Sequence, residues 1–179
     1  MRGHVTSPAA ERLFAEMVLP YLDDALTLAR WLTGNATDAE DVTQEACLRA
    51  FKAIEQSRVD HPRAWFLTIT RNTAFTWLAR NRPKSMVLTA DPAVEDIAST
   101  AERPETPEEA VIALADAALI EQAIAALPLF LRETIIMREI SGLAYRDIAD
   151  VMAVPIGTVM SRLARARSLL ITALAEAKP

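Results

Sequence analysis

Glycine, cysteine, histidine and long apolar runs are all scarce in this chain, and each scarcity excludes something. Only 4 of the 179 residues are glycine, and none stands in a Gly-rich pattern able to cradle a phosphate. The single cysteine, Cys47, excludes an internal disulfide framework and cannot build a zinc site unaided. Its apolar neighbours on a predicted helix favour a buried thiol over a reactive one. The two histidines, His4 and His61, have no companions at metal-ligand spacing. No apolar run approaches the roughly 18 residues that span a bilayer. The segment Met1-Arg2-Gly3-His4-Val5-Thr6-Ser7-Pro8 lacks the apolar centre of a signal peptide. Alternating apolar and polar stretches of the strand type are missing as well. The carboxylates fall on faces predicted to be solvated or in a proline-containing stretch, so no catalytic constellation emerges. A cytoplasmic, all-α protein without cofactor, metal, enzymatic activity or membrane insertion is expected.

What is abundant is helix-forming. Hydrophobic residues make up 51% of the chain, and Ala, Leu, Arg and Glu dominate. The length suffices for two small cores. The net charge of −5 argues against a nonspecific nucleic-acid coat, but its distribution is uneven. Residues 61–84 carry Arg63, Arg71, Arg80, Arg82 and Lys84 with no acid among them. Residues 85–105 carry Asp91, Glu95, Asp96, Glu102 and Glu105 against Arg103 alone. Local charge should therefore govern binding.

Breakers and caps divide the chain. Helices are predicted over 9–18 and 21–32, interrupted near Pro20 and closed by Gly34. Thr37-Asp38-Ala39-Glu40 reads as a capping box, opening a helix to about Ile54 that buries Val42, Ala46, Leu48, Phe51 and Ile54 in part. After a polar loop over 56–61, Pro62 suits the first turn of a helix reaching about Asn81. Pro83, Pro92 and Pro104 then punctuate an aperiodic stretch that reads as a flexible acidic linker. A second capping box, Thr106-Pro107-Glu108-Glu109, opens a helix to about Ala126, broken by Leu127-Pro128. Further helices are predicted over 129–140, ended by Gly142, then 145–152 and 156–176, with Ala153-Val154-Pro155 as the last turn. The expected organisation is a first helical domain over 9–82, a linker over 83–105 and a second helical domain over 106–177.

The final helix is the most informative element. At about 100° per residue, Val159, Leu163, Ala166 and Leu170 form one narrow apolar stripe. Thr158, Ser161, Arg162 and Arg165 gather on another face. Such a helix can enter a major groove, where Arg donates two hydrogen bonds to guanine and hydroxyls hold phosphates. Arg167 projects elsewhere, as a phosphate contact or a solvated charge. A short helix, a tight turn and a second amphipathic helix make the helix-turn-helix pattern. Helical hairpins that never touch DNA share that pattern, so the Thr/Ser/Arg face carries the argument.

The wording of these segments is similar to a known family. Gly157-Thr158-Val159-x-Ser161-Arg162-Leu163-x-Arg165-Ala166-Arg167 resembles the region-4 recognition helix of extracytoplasmic-function (ECF) sigma factors, group 4 of the sigma-70 family. Ala126-Leu127-Pro128 with Arg132-Glu133, and Tyr145-Arg146-Asp147-Ile148-Ala149, resemble the same domain. Asp38-Ala39-Glu40-Asp41-Val42-Thr43-Gln44-Glu45-Ala46 resembles region 2.2. Pro62-Arg63-Ala64-Trp65-Phe66 with Arg71-Asn72 resembles regions 2.3 and 2.4. The resemblance runs from about Ala9 to Leu174.

It implies roles the residues can support physically. Asp41, Gln44 and Glu45 share the face with which the family grips the coiled coil of the polymerase β′ subunit; taken alone they read as a solvated acidic face. The loop over 56–61 occupies the place where a base flipped from the −10 element is captured, at a cost of a few kcal/mol. Arg63, Arg71, Asn72 and Arg80 become candidates for −10 DNA, each neutralised phosphate adding roughly 0.9 to the salt slope on duplex DNA. Trp65, Phe66, Ile69 and Trp77 share a sector that favours core over base stacking. Thr158, Ser161, Arg162, Arg165 and Arg167 become candidates for −35 DNA. Core RNA polymerase, through its β′ coiled coil and β flap, promoter DNA and an anti-sigma factor are the implied partners.

Some positions depart from the family pattern. Met160 stands where lysine is common, Thr76 replaces a frequent aspartate, and Ala79 and Asn81 thin the usual arginine cluster. Ala144 stands where Ser or Thr caps the first helix of the turn motif, a loss of about 1 kcal/mol. Weak binding to free promoter DNA is expected. The rival readings are a stand-alone helix-turn-helix repressor and a sigma mimic that sequesters an anti-sigma factor.

Overall fold

Proline, glycine and short polar side chains set the helix ends in a computed structural model. It describes residues 8–81 and 107–177, with side chains of the second stretch described from residue 117. The predicted linker over 83–105 and the predicted cap at Thr106 lie outside the described residues. Among the described residues every regular element is helical.

Helix α1 (Pro8–Met17) is followed by a 3-10 turn, Leu19–Tyr21, that holds Pro20, and then by α2 (Leu22–Thr33). Gly34 ends α2 in the left-handed region at φ 73, its N–H donating to the Arg30 carbonyl at 2.8 Å. Glycine adopts that conformation without a Cβ penalty. Helix α3 (Ala36–Ala53) starts on Asn35 and not on the predicted Thr37. Asn35 is extended at φ −150, ψ 137, and its side-chain oxygen accepts the Asp38 N–H at 3.0 Å. The tight glycine turn leaves its successor extended, and asparagine caps at least as well as threonine. Thr37 therefore falls inside the first turn.

A 3-10 turn, Ile54–Gln56, leads to the loop and then to α4 (Pro62–Asn81), with the predicted bounds. Helices α2, α3 and α4 pack on one another around Leu28, Leu32, Val42, Phe66 and Leu67, all essentially fully buried. Leu48 does not join them. It is 57% exposed, because the buried line of α3 runs through Val42, Ala46 and Ala50, about half a turn away. Phe51 is half-buried, edge-on to Phe14 with ring centroids 5.5 Å apart.

The second domain comprises α5 (Pro107–Ala126), α6 (Leu129–Ile135), α7 (Tyr145–Met152) and α8 (Ile156–Ala177). The predicted single helix over 129–140 is α6 continued by one wide π turn, Ile136–Ile140, before Gly142 turns the chain at φ 65. Ala153, left-handed at φ 52, makes the corner between α7 and α8, and the Val154 N–H closes it on the Ala149 carbonyl at 3.0 Å. The predicted stripe faces inward: Val159, Leu163 and Ala166 are buried and Leu170 is half-buried. The two domains pack together, α4 along α7 and α2 against α6, and one continuous apolar cluster runs through both.

Candidate nucleic-acid interface

Burial of the apolar stripe decides what α8 shows to solvent. Ser161 and Arg165 are exposed, and Thr158 is half-buried at the helix start. The Ser161 hydroxyl donates to the Thr158 carbonyl at 3.0 Å, so it is held at the N-terminal turn where a groove-entering helix makes its contacts. Arg162 is only partly exposed. Its guanidinium lies 5.4 Å from the centre of the Phe130 ring, with Nη1 4.0 Å from Glu133 Oε1. Arg167 donates to Glu139 Oε1 at 2.6 Å, an exposed pair of small energetic weight.

Helix α4 distributes its polar residues differently. Asn72 and Arg80 are exposed. Arg63 donates through Nε to Asp24 Oδ2 at 2.8 Å and through Nη2 to the Ser141 carbonyl of the second domain. Arg71 forks onto the second domain too, with Nε 2.6 Å from Glu133 Oε2 and Nη2 3.0 Å from Glu133 Oε1. Its guanidinium also lies 4.5 Å from the centre of the Phe75 ring. Glu133 is 1% exposed. Burial pushes its carboxyl above the usual carboxylate range, opposed by the hydrogen bonds and charge of Arg71 and by the charge of Arg162. The structure thus brings Arg71 and Arg162 to one carboxylate and keeps Asn72, Arg80, Ser161 and Arg165 at the surface. Glu133 and Asp24 were not singled out as site residues by sequence reasoning. The available signal was an acid inside the apolar run Leu129-Phe130-Leu131-Arg132-Glu133-Thr134-Ile135-Ile136-Met137.

The aromatics of α4 take core positions: Phe66 is fully buried, and Trp65, Ile69 and Trp77 pack half-buried against the core. On α3, Asp41, Gln44 and Glu45 are exposed together. Arg49, donating to Glu45 Oε1 at 2.7 Å, holds the Glu45 carboxyl below its usual range. The exposed Leu48 continues this face, three and four residues beyond Glu45 and Gln44. It borders an apolar groove of about 610 Å³ that Phe14, Leu22, Leu26, Cys47 and Phe51 also line. Leu48, which periodicity had assigned to the core, is thus an exposed apolar neighbour of Gln44 and Glu45.

Residues 17–84, which span α2, α3 and α4, match the family described as Sigma-70 region 2. Residues 117–170, which hold the helix-turn-helix, match Sigma-70 region 4. The chain is 38% identical over 175 residues to the RNA polymerase sigma-H factor of Pseudomonas aeruginosa, covering 92% of this chain and 87% of that protein. It is 33% identical over 147 residues to the ECF RNA polymerase sigma-E factor of Haemophilus influenzae, covering 80% of this chain and 77% of that one. The chain belongs to the ECF sigma factors. The architecture of this sigma factor is likewise that of solved members. It matches the sigma factor RpoE, solved with the anti-sigma factor NepR from Bartonella quintana, at a TM-score of 0.67 and 28% identity, over 93% of this chain and 98% of that one. It matches CnrH, solved with the cytosolic domain of CnrY, at a TM-score of 0.63 and 26% identity, over 94% of this chain and 91% of that one. In this sigma factor the region-2 match contains α4 and the region-4 match contains α8 as far as residue 170, so the arginines of both helices lie inside recognised sigma segments. No helix among the described residues is long and apolar enough to cross a membrane.

Proposed function

We propose that this protein is a cytoplasmic ECF sigma factor that binds core RNA polymerase, reads −35 and −10 promoter elements and starts transcription of a specific regulon. The observation that carries this reading is the pairing of two polar, arginine-bearing helices, α4 and α8, one in each sigma-matched domain. Thr158, Ser161, Arg162 and Arg165 read or hold −35 DNA, and Arg167 contributes a phosphate contact once it leaves Glu139. Arg63, Arg71, Asn72 and Arg80 hold the −10 strand. Asp41, Gln44 and Glu45 grip the polymerase β′ coiled coil, with Leu48 as their apolar anchor, and the second domain meets the β flap. Domain boundaries at 9–82, 83–105 and 106–177 follow from this division.

The protein supplies recognition, and bond formation belongs to the polymerase. Two of its four −10 candidates are engaged with protein groups in the isolated chain, so it binds free promoter duplex weakly and promoter tightly only within holoenzyme. An anti-sigma factor is a further partner, as in the solved complex of RpoE with NepR. A stand-alone repressor would need a dimer interface and a palindromic operator, and a region-2 domain gives it no use.

Run-off transcription with purified core polymerase tests the reading. Initiation at discrete genomic start sites with shared −35 and −10 elements is expected, and Arg162→Ala together with Arg165→Ala should abolish it on promoters that depend on the −35 element. Failure to initiate on any genomic promoter would overturn the sigma assignment. Nanomolar binding of the isolated protein to promoter duplex in physiological salt would overturn the holoenzyme requirement.

A further inference from the structure

The seam between the two domains is stitched by guanidinium groups. Arg71 reaches from α4 to Glu133 in α6, Arg63 reaches from α4 to the Ser141 carbonyl, and Arg132 reaches back from α6 to the Trp31 carbonyl at 3.2 Å. Two of these three arginines are the ones assigned above to −10 DNA. Glu133 also faces Arg162, assigned to −35 DNA, across 4.0 Å. One buried carboxylate therefore stands between the two promoter-reading surfaces and is approached by an arginine from each.

A buried carboxylate is costly unless charge and hydrogen bonds answer it. The forked Arg71 pair answers it with two charge-assisted bonds, using donors that a phosphate would otherwise take. Holding the seam and holding DNA are therefore mutually exclusive for Arg71. When the domains part, both ions return to water and recover their hydration, so the closed state can open without leaving a stranded charge. We propose that Glu133 is an intramolecular latch, which occupies promoter-directed arginines of both domains and holds the protein closed without any second protein. The regulatory meaning rests on the sigma reading, because that reading says what Arg71 and Arg162 are withheld from. The closed geometry itself does not depend on it.

The full chain can be tested directly. With Cys47→Ala as background, exposed positions on α3 and α8 (Lys52→Cys and Ala173→Cys) carry spin labels, and pulsed electron resonance reads the distance between them. A single short population is expected for the parent. Glu133→Gln and Arg71→Gln should each raise the open-to-closed ratio by roughly tenfold, and the double variant should open no further than the stronger single. The helical circular dichroism of each variant checks folding. If Glu133→Gln fails to fold, Arg71→Gln carries the test, because it leaves the Glu133–Arg162 approach in place. A parent that is already open, or variants with the parent's distances, would overturn the latch. Run-off transcription with core polymerase answers separately: no initiation overturns the sigma reading and leaves the distance result standing, and unchanged distances overturn the latch and leave transcription standing.

Discussion

Two helices of this sigma factor start on extended residues with opposite side-chain chemistry, and exchanging their caps has a calculable effect. Asn35 sits at φ −150, ψ 137 ahead of α3 and accepts the Asp38 N–H at 3.0 Å. Ala144 sits at φ −68, ψ 152 ahead of α7 and offers no side-chain acceptor. The first-turn amides of α7 are left to water, which the exposure of Ala144 permits. Ala144→Ser places a hydroxyl at the N-cap with Asp147 at the N3 position, the spacing that Asn35 and Asp38 already use. The expected gain is about 1 kcal/mol, and Asn35→Ala should cost about the same. For a chain of 179 residues unfolding as a unit, as the shared apolar cluster suggests, about 1 kcal/mol moves Tm by roughly 2–4 °C. Ala144→Ser raises Tm, Asn35→Ala lowers it, and the double variant returns close to the parent because the sites lie in different domains. Thermal and urea unfolding followed by helical circular dichroism measure all three. If Ala144→Ser leaves Tm unchanged or lowers it while Asn35→Ala behaves as stated, the first turn of α7 is not limited by its cap.

Truncating the stripe of the recognition helix should be far more damaging. Leu163→Ala, at a position 1% exposed, should cost roughly 2–5 kcal/mol in urea unfolding, and a loss below 1 kcal/mol would place Leu163 outside a packed core. Leu48→Asp should leave Tm within about 0.5 kcal/mol equivalents of the parent, because the site is exposed, yet weaken retention of core polymerase in pull-down. Full retention would remove Leu48 from the docking face. Burial pushes the Cys47 thiol above its usual value, so alkylation at pH 8 should be several times slower than in urea-unfolded protein, because only the thiolate reacts. Equal rates would show that the groove leaves this sulfur fully accessible.

Local chemistry was the legible part of this protein. Helix α4 begins at Pro62 and ends at Asn81 as its proline and period predict, and the turn before α8 falls at Ala153-Val154-Pro155. Both depend on residues adjacent in the chain. The errors came where two local signals competed. Thr37 was read as the cap, yet the backbone left by Gly34 puts Asn35 in the extended conformation that takes that role. Leu48 looked like core because it is apolar, yet the buried line of α3 is filled by smaller residues, Ala39, Val42, Ala46 and Ala50, that let α2 and α4 approach closely. A leucine outside that line is left at the surface, beside the polar residues assigned to polymerase.

The arginines proposed to read the promoter were legible as types and positions, but their state in the isolated chain was not. Arg71 and Glu133 are 62 residues apart in the chain, and no periodicity links them. Read locally, Arg71 is a cation on a basic helix and Glu133 an oddity in an apolar run. Each is explained largely by the other: the acid tolerates burial because a guanidinium from α4 forks onto it, and that guanidinium is drawn out of solvent toward the acid of α6. The proposed weak binding to free DNA, first expected from the few basic residues, is argued more directly from what Arg63 and Arg71 already hold. On the latch proposed above, the charge available for DNA depends less on how many arginines the chain contains than on how many the closed seam releases.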